Sequence, residues 1–493
     1  MEQYLNETDF NYDYDDDNVD RCEPGIFLPA DSSTYNSVVR GLGYLFAMIY
    51  VLVGINMGNS LLIGSINVIT AQLPNSGFKA VWKRSGLNFA LLAVGGSVVE
   101  IMIPFFEIFS KNYGAGDLGP GVILGTAAYR HLILTSVLVS AIPNGKIRKI
   151  KNTSVFLVQC TWSIFAYLWL ILVLKYTTPG VIDLWEGVMT FVFFPVIVIT
   201  SGLAGHCGMR KPDETFSNPE NTTNLETSKC FEIDDRQAVS GRNFQDTQVQ
   251  HIPCRMTSSQ YLSSWKLQFI NACKVKGVDD NSSGTSCLEY LNHGFVFIWK
   301  IMLAFFVPPQ DIMGGYPTFT TSIFIIGLLT ALILDLASHL GCSVGLRHFT
   351  IGMIIIMGRR IPETIVNRTS AIKDPHADST LGQLHWNNGV TIFFGLGSAW
   401  MTGALYHEFF SYASCESCSK FYIDPGSLTF ETVILACVSL MAIVLLFVRR
   451  CTLGGELGGQ TFSKYTTSVV LVFMWLVYFF LVSLEAYGLV PGF

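Results

Sequence analysis

The sequence predicts an all-α membrane protein: ten transmembrane helices, arranged as two inverted five-helix repeats and joined by a short cytosolic loop. Three observations carry this prediction. Half of the 493 residues are hydrophobic and only 14% are charged, which leaves far too little polar surface for a soluble protein of this size. Apolar runs long enough to cross a ~30 Å hydrocarbon core recur along the chain. A short glycine-to-acid motif also occurs twice, once in each half.

The first segment, 1–42, is polar and carries Asp13, Asp15, Asp16, Asp17 and Asp20 close together. It is too poor in aliphatic residues to form a core and reads as an acidic extracellular tail. No basic stretch leads into an apolar core at Met1, so no cleavable signal peptide is expected. Five spans follow in 43–206, at about 43–67, 87–108, 120–141, 153–175 and 184–206. Five more occupy 319–493, at about 319–340, 350–366, 388–406, 429–448 and 465–486.

Between the halves, 207–318 forms a cytosolic loop and an interfacial helix. From 207 to about 290 the chain is rich in Ser, Thr, Asn and Asp, without sustained periodicity, and reads as partly disordered. His293 to Val307 is apolar but short, contains Lys300 and ends at Pro308-Pro309; an interfacial helix suits it better than a span. Lys79, Lys83 and Arg84, then Lys146, Arg148, Lys149 and Lys151, then Arg210 and Lys211, and finally Arg449 and Arg450 fall in alternate connections. The positive-inside rule places these in the cytosol and both termini outside. Asn6 then lies in an accessible glycosylation sequon, Asn6-Glu7-Thr8, whereas the sequons at Asn221 and Asn367 face the cytosol.

The repeated motif is Gly95-Gly96-Ser97-Val98-Val99-Glu100 in the second span and Gly358-Arg359-Arg360-Ile361-Pro362-Glu363 in the seventh. Each has a polar-interrupted partner downstream: Gly125-Thr126-Ala127-Ala128-Tyr129-Arg130 in the third span and Trp386-Asn387-Asn388-Gly389-Val390-Thr391 in the eighth. An odd number of spans separates the copies, so they face opposite ways. This is the inverted-repeat plan of secondary transporters, whose site lies at mid-membrane where helices are interrupted.

At these residues the chain resembles the sodium/calcium exchanger family, its animal plasma-membrane branch in particular. The likeness extends to Ala115-Gly-Asp-Leu-Gly-Pro120, Trp162-Ser-Ile-Phe-Ala-Tyr-Leu-Trp169, Trp299-Lys300 with Val307-Pro-Pro309, and Gly327-Leu-Leu-Thr-Ala331 with Asp335-Leu-Ala-Ser-His339. Gly454-Gly-Glu-Leu-Gly-Gly459 and Leu484-Glu-Ala-Tyr487 complete it. The resemblance implies a ten-helix plasma-membrane antiporter that exchanges Na⁺ for Ca²⁺ by alternating access, with the lipid bilayer and those ions as its partners. It also implies an extracellular disulfide between Cys22 and Cys342.

The family carries a long cytosolic insertion with two calcium-binding β-sandwich domains and a basic autoinhibitory stretch after the fifth span. Here the central loop is short, lacks an acidic Ca²⁺-ligand cluster, and continues after Gly205 as His-Cys-Gly-Met-Arg-Lys-Pro-Asp. Regulation through such modules is expected to be absent. In the motifs themselves the family has Gly-Ser-Ser-Ala-Pro-Glu and Gly-Thr-Ser-Val-Pro-Asp, whose hydroxyls, carboxylates and carbonyls suit hard cations. This chain keeps Ser97, Glu100 and Glu363 but has Arg359 and Arg360 in place of both second-motif hydroxyl residues. Arg130 stands where the family has an ion-facing Asn, and Thr391 at the counterpart position.

The ion-site candidates are therefore Glu100, Glu363, Ser97, Thr126, Asn388 and Thr391, with Arg130, Arg359 and Arg360 blocking the site or pairing its charges. Three guanidiniums against two carboxylates turn a local charge of −2 into about +1. Bringing Ca²⁺ to ~5 Å from one Arg costs several kcal/mol at an effective dielectric near 20, comparable with the ~8 kcal/mol of a micromolar site, and arginine stays protonated. Three readings stay open: cation antiport, a transport-inactive scaffold or modulator on the exchanger fold, and transport of an anionic solute.

Among the remaining residues, His131 and His385 read as hydrogen-bonded packing groups rather than proton carriers. The twelve cysteines fit no zinc pattern. Cys415-Glu-Ser-Cys418 lies in an extracellular loop, where a local disulfide is expected rather than redox catalysis. There is no nucleotide-binding loop, hydrolase elbow or basic nucleic-acid face. No enzymatic activity, no cofactor and no resident metal beyond a transported cation is expected.

Overall fold

The structure is a computed structural model, and it describes residues 25–29, 36–72, 91–208, 258–275, 287–410 and 420–490. Helix α1 (Ser37–Ala71) starts where the Asn36 side chain accepts the Val38 N–H at 2.9 Å, a standard N-cap. Helical residues 91–96 are interrupted at Ser97 and resume as α2 (Val98–Ser110). Glu107 near the end of α2 accepts the N–H groups of Leu118 (3.0 Å) and Gly119 (2.6 Å). It thereby caps α3 (Leu118–Tyr129), whose first-turn donors have no partner within the helix. Through a π-helical turn, Arg130–Leu134, α3 continues into α4 (Thr135–Ala141). Strand β1 (Ile147–Arg148), α5 (Thr153–Ile171), β2 (Val181–Ile182) and α6 (Leu184–Gly208) follow.

Helices α7 (Ser258–Cys273) and α8 (Cys287–Phe306) occupy the connection between the halves. The second half comprises α9 (Tyr316–Val344), α10 (His348–Lys373), α11 (Gln383–Val390) and α12 (Gly397–Phe409), the last two joined by a π-helical segment, Thr391–Leu396. Strand β3 (Phe421–Tyr422), α13 (Pro425–Leu453), β4 (Leu457–Gly458) and α14 (Thr461–Ala486) complete it. Gly345 and Gly454 close α9 and α13 with φ of 70° and 80°, the left-handed C-terminal conformation that glycine adopts without penalty.

Among the described residues, seven helices are long and apolar enough to cross a membrane: Ser37–Ala71, Leu118–Ala141, Thr153–Thr177, Leu184–Gly205, Ile312–Val344, Gly426–Leu453 and Thr461–Ala486. Segments 91–110, 348–373 and 383–409 are helical but fall outside that set. These are three of the four segments carrying the repeated motifs and their partners: polar residues lower the hydropathy of 348–373 and 383–409, whereas 91–110 is apolar but its helix is interrupted at Ser97 and only 13 residues follow. Strand pairing orders the connections. β1 pairs antiparallel with β4 and β2 with β3, and the helix from Thr153 to Thr177 separates β1 from β2. The Lys146–Lys151 connection therefore shares one end of the bundle with the turn after Arg449 and Arg450, while the 178–183 turn meets Phe421–Tyr422 at the other. Glu456 ties the basic end together: it accepts the Ile150 N–H (3.0 Å) and pairs with Arg450 (2.5 Å).

The connection between the halves departs from the sequence reading. Its stretch from 207 to 290, read as aperiodic, contains α7, and the apolar helix expected over 293–307 extends back to Cys287. Leu262, Trp265 and Phe269 recur at helical spacing, and packing on α8 supplies what intrinsic propensity does not. The Trp265 indole donates to the Ala304 carbonyl (2.9 Å) and Gln268 to that of Val307 (2.8 Å). Helix α8 in turn rests on α1, where the Trp299 indole donates to the Tyr50 carbonyl at 3.0 Å. Gly54 makes room for that ring: a Cβ there would lie 2.6 Å from it.

Asp335, buried in α9, accepts the backbone N–H groups of Ile26, Phe27 and Leu28 at 2.9, 2.5 and 3.1 Å. Charge-assisted bonds of this kind are roughly twice as strong as neutral ones. Asp335→Asn is expected to free residues 25–29, read as a several-fold faster reaction of a Phe27→Cys probe with a membrane-impermeant maleimide. An unchanged rate would show that something else holds the segment. Cys342, seven residues further along α9, is disulfide-bonded; Cys22, Cys415, Cys418 and Asn6 lie outside the described residues.

Candidate functional site

Backbone interruption creates the site. Gly95-Gly96-Ser97 combines two weak helix formers with a residue that competes for backbone hydrogen bonds, and the helix breaks at Ser97 (φ −124°, ψ 13°). Glu100 therefore sits in the first turn of α2, where the positive end of the helix favours a carboxylate. The second motif behaves differently: α10 runs unbroken through Pro362 and displays Arg359 and Arg360 from its interior. The two downstream partners share one feature: a π-helical turn starts at Arg130 in one and at Thr391 in the other. Such turns widen the helix and re-aim side chains, and they recur at functional sites.

The charged residues converge. Arg360 Nη2 lies 2.6 Å from Glu100 Oε1, and Arg360 Nη1 pairs with Glu363 Oε2, so one guanidinium bridges both carboxylates. Arg359 Nε stands 3.9 Å from Glu100 Oε1; its terminal nitrogens donate to Asn56 Oδ1 (3.2 Å) and the Gly96 carbonyl (3.5 Å). Arg360 is fully buried, whereas the Glu363 side chain is 22% exposed. Arg130 reaches neither carboxylate. It donates to Ser97 Oγ (2.9 Å) and Asn388 Oδ1 (3.2 Å), with 0% exposure. Two oxygens expected to face a cation are thus occupied by a guanidinium.

The remaining candidates divide. Thr391 donates to the Asn387 and Asn388 carbonyls, both at 3.0 Å, within its own helix. Thr126 Oγ1 and Glu100 Oε2 are buried without hydrogen-bond partners. His131 Nε2 and His385 Nδ1 lie 2.9 Å apart, and His131 Nδ1 also meets Ser439 Oγ (3.0 Å) and Tyr167 Oη (3.3 Å). Both histidines are hydrogen-bonded in a packed polar cluster beside Asn388, which approaches His131 at 3.3 Å. Among the described residues, no three His, Cys, Asp or Glu side chains group so as to hold a metal ion.

Sequence reasoning missed Asn56, Tyr129 and Thr364. Asn56 holds Arg359 and also donates to the Gly358 carbonyl at 3.3 Å; a polar residue in the middle of an apolar span was the available signal. The Tyr129 and Thr364 hydroxyls meet at 3.0 Å, linking α3 to α10 beside Arg130 and Glu363.

Several known proteins are similar to this chain. Sodium/calcium exchanger 1 of Cavia porcellus is 38% identical over 240 residues, covering 47% of this chain and 24% of that protein. Sodium/calcium exchanger Calx of Drosophila melanogaster is 36% identical over 239 residues, covering 46% and 24%, and sodium/calcium exchanger 3 of Homo sapiens gives 36% over 239 residues, 47% and 25%. The match thus spans about a quarter of the length of these relatives. Among solved structures, the sodium-calcium exchanger NCX_Mj aligns over 89% of this chain and 97% of its own, at 13% identity and a TM-score of 0.39. The family model described as "Sodium/calcium exchanger protein" matches residues 43–203 and 315–484. The chain belongs to the sodium/calcium exchanger family.

Proposed function

We propose that this chain is a divergent exchanger-type plasma-membrane protein whose central cation site is held shut by its own arginines, so that it does not carry Ca²⁺. One observation carries the reading: Arg360 bridges Glu100 and Glu363 while Arg130 takes Ser97 and Asn388. In effect the protein supplies its own cations. The seven apolar helices, with the three motif-bearing helical segments, support ten spans, and the matched π-helical turns support two inverted repeats. The basic end of the bundle is then cytosolic and both termini are extracellular. A membrane-embedded scaffold or modulator is the role this leaves.

Na⁺/Ca²⁺ antiport, the activity named in the relatives, is the second reading. The unpartnered Glu100 Oε2 favours it, because a carboxylate oxygen is a cation ligand. The two separate in a sodium-gradient-dependent ⁴⁵Ca²⁺ flux assay with the purified chain in proteoliposomes. Flux at the protein-free background is the expected result. Flux above background that Glu100→Gln abolishes would establish antiport instead.

A further inference from the structure

Arg130 poses a problem of charge that the rest of the site does not solve. Each carboxylate of the cluster is engaged by Arg360, and Arg359 lies beside Glu100. Arg130, fully buried, has only the neutral oxygens of Ser97 and Asn388. Two neutral acceptors satisfy its terminal nitrogens without neutralising it, and an uncompensated buried charge is costly. Its Nε–H, moreover, has no acceptor.

A second donor stands one turn away. Thr126 precedes Arg130 by four residues in a helix, 1% exposed, and its hydroxyl is also unpartnered. Helical residues four positions apart lie on one face, the later side chain leaning toward the earlier one, which puts Arg130 and Thr126 on the same face one turn apart. A threonine inside a helix commonly bonds a carbonyl of the preceding turn, as Thr391 does; Thr126 does not. The turn thus presents a positive charge and two unused donors, N–H and O–H, in a fully enclosed setting.

From this juxtaposition we infer that Arg130 and Thr126 bind a small monoanion, a halide such as chloride, inside the bundle. The enclosure argues for size: two donors one turn apart match a single-atom acceptor, while a carboxylate or phosphate would need the wider fork of the guanidinium, which Ser97 and Asn388 occupy. The ion would bring the cluster of three arginines and two glutamates to neutrality. The inference rests on the closed-site reading, in which Arg359 and Arg360 stay against the two carboxylates and the charge of Arg130 is left over.

Thermal unfolding of the purified full chain tests it, with NaCl, NaBr or sodium gluconate at equal ionic strength, alongside equilibrium binding of ³⁶Cl⁻. Ligand that binds only the folded state raises Tm by mass action. Chloride and bromide are expected to raise Tm over gluconate by about 3 °C or more, with one ³⁶Cl⁻ bound per chain. Arg130→Gln should remove both effects, and Thr126→Val, which keeps the charge and shape, should weaken ³⁶Cl⁻ binding by roughly tenfold, the loss of one hydrogen bond to a charged group. Equal Tm in chloride and gluconate for the parent chain would overturn the inference, as would ³⁶Cl⁻ binding unchanged in both variants. A parallel Ca²⁺ titration keeps the two readings apart. A Ca²⁺-dependent rise in Tm defeats the closed site itself, whereas no response to either ion defeats only the anion.

Discussion

Glu100→Gln is expected to destabilise the folded protein by about 3–5 kcal/mol, the usual cost of stranding one partner of a buried ion pair. Glu100 is 2% exposed, and both contacting guanidiniums are as deeply enclosed. Glu363→Gln should cost far less, about 1 kcal/mol, because its side chain is 22% exposed and water can replace it. Arg360 also keeps Glu100 in that variant. The order matters as much as the size. In a working cation site two carboxylates face each other without their ion and repel, so neutralising either would leave stability unchanged or improved. Thermal unfolding of both variants in one detergent distinguishes the cases, and a Glu100→Gln variant as stable as the parent would contradict structural pairing. Adding Arg360→Gln to Glu100→Gln should recover part of the loss, since coupled residues are not additive.

The same residues show where sequence reading succeeds and where it stops. Hydropathy found the seven apolar helices because a bilayer demands about twenty apolar residues in a row; it was weakest at 348–373 and 383–409, where polar residues interrupt the signal. The break at Ser97 was legible in Gly95-Gly96-Ser97. The continuity of α10 through Pro362 was not, because tertiary packing overrides a proline's local preference. Charge counting identified the five residues of the cluster but not their partners. Arg130 bonds Ser97 and Asn388 rather than a carboxylate, and that choice depends on how α2, α3 and α11 meet. The π-helical turns at Arg130 and Thr391 have no single-residue signature at all. Helix α7 was overlooked for the opposite reason: its apolar spacing was present, but short and surrounded by polar sequence.

Replacing Arg359→Thr, Arg360→Ser and Arg130→Asn together is expected to give tighter Ca²⁺ binding than the parent chain shows. The substitutions introduce the residue types that the resemblance to the exchanger family implies at these positions and return the local charge from about +1 to −2. Each removed guanidinium eliminates a repulsion worth several kcal/mol to a divalent ion at ~5 Å, and every 1.4 kcal/mol is tenfold in affinity. Oxygens are also released: Ser97 and Asn388 from Arg130, Asn56 and the Gly96 carbonyl from Arg359, and both carboxylates from Arg360. Of the single changes, Arg360→Ser should have the largest effect, because that residue alone touches both acids. Arg359→Thr by itself should change little while Arg360 remains in place. The fold of the triple variant should become calcium-dependent, its Tm rising with Ca²⁺ as the ion replaces the lost internal cations. ⁴⁵Ca²⁺ equilibrium binding to the parent, Arg360→Ser and the triple variant measures the series directly. A triple variant that unfolds cooperatively yet binds no Ca²⁺ would mean that something other than the arginines closes this site.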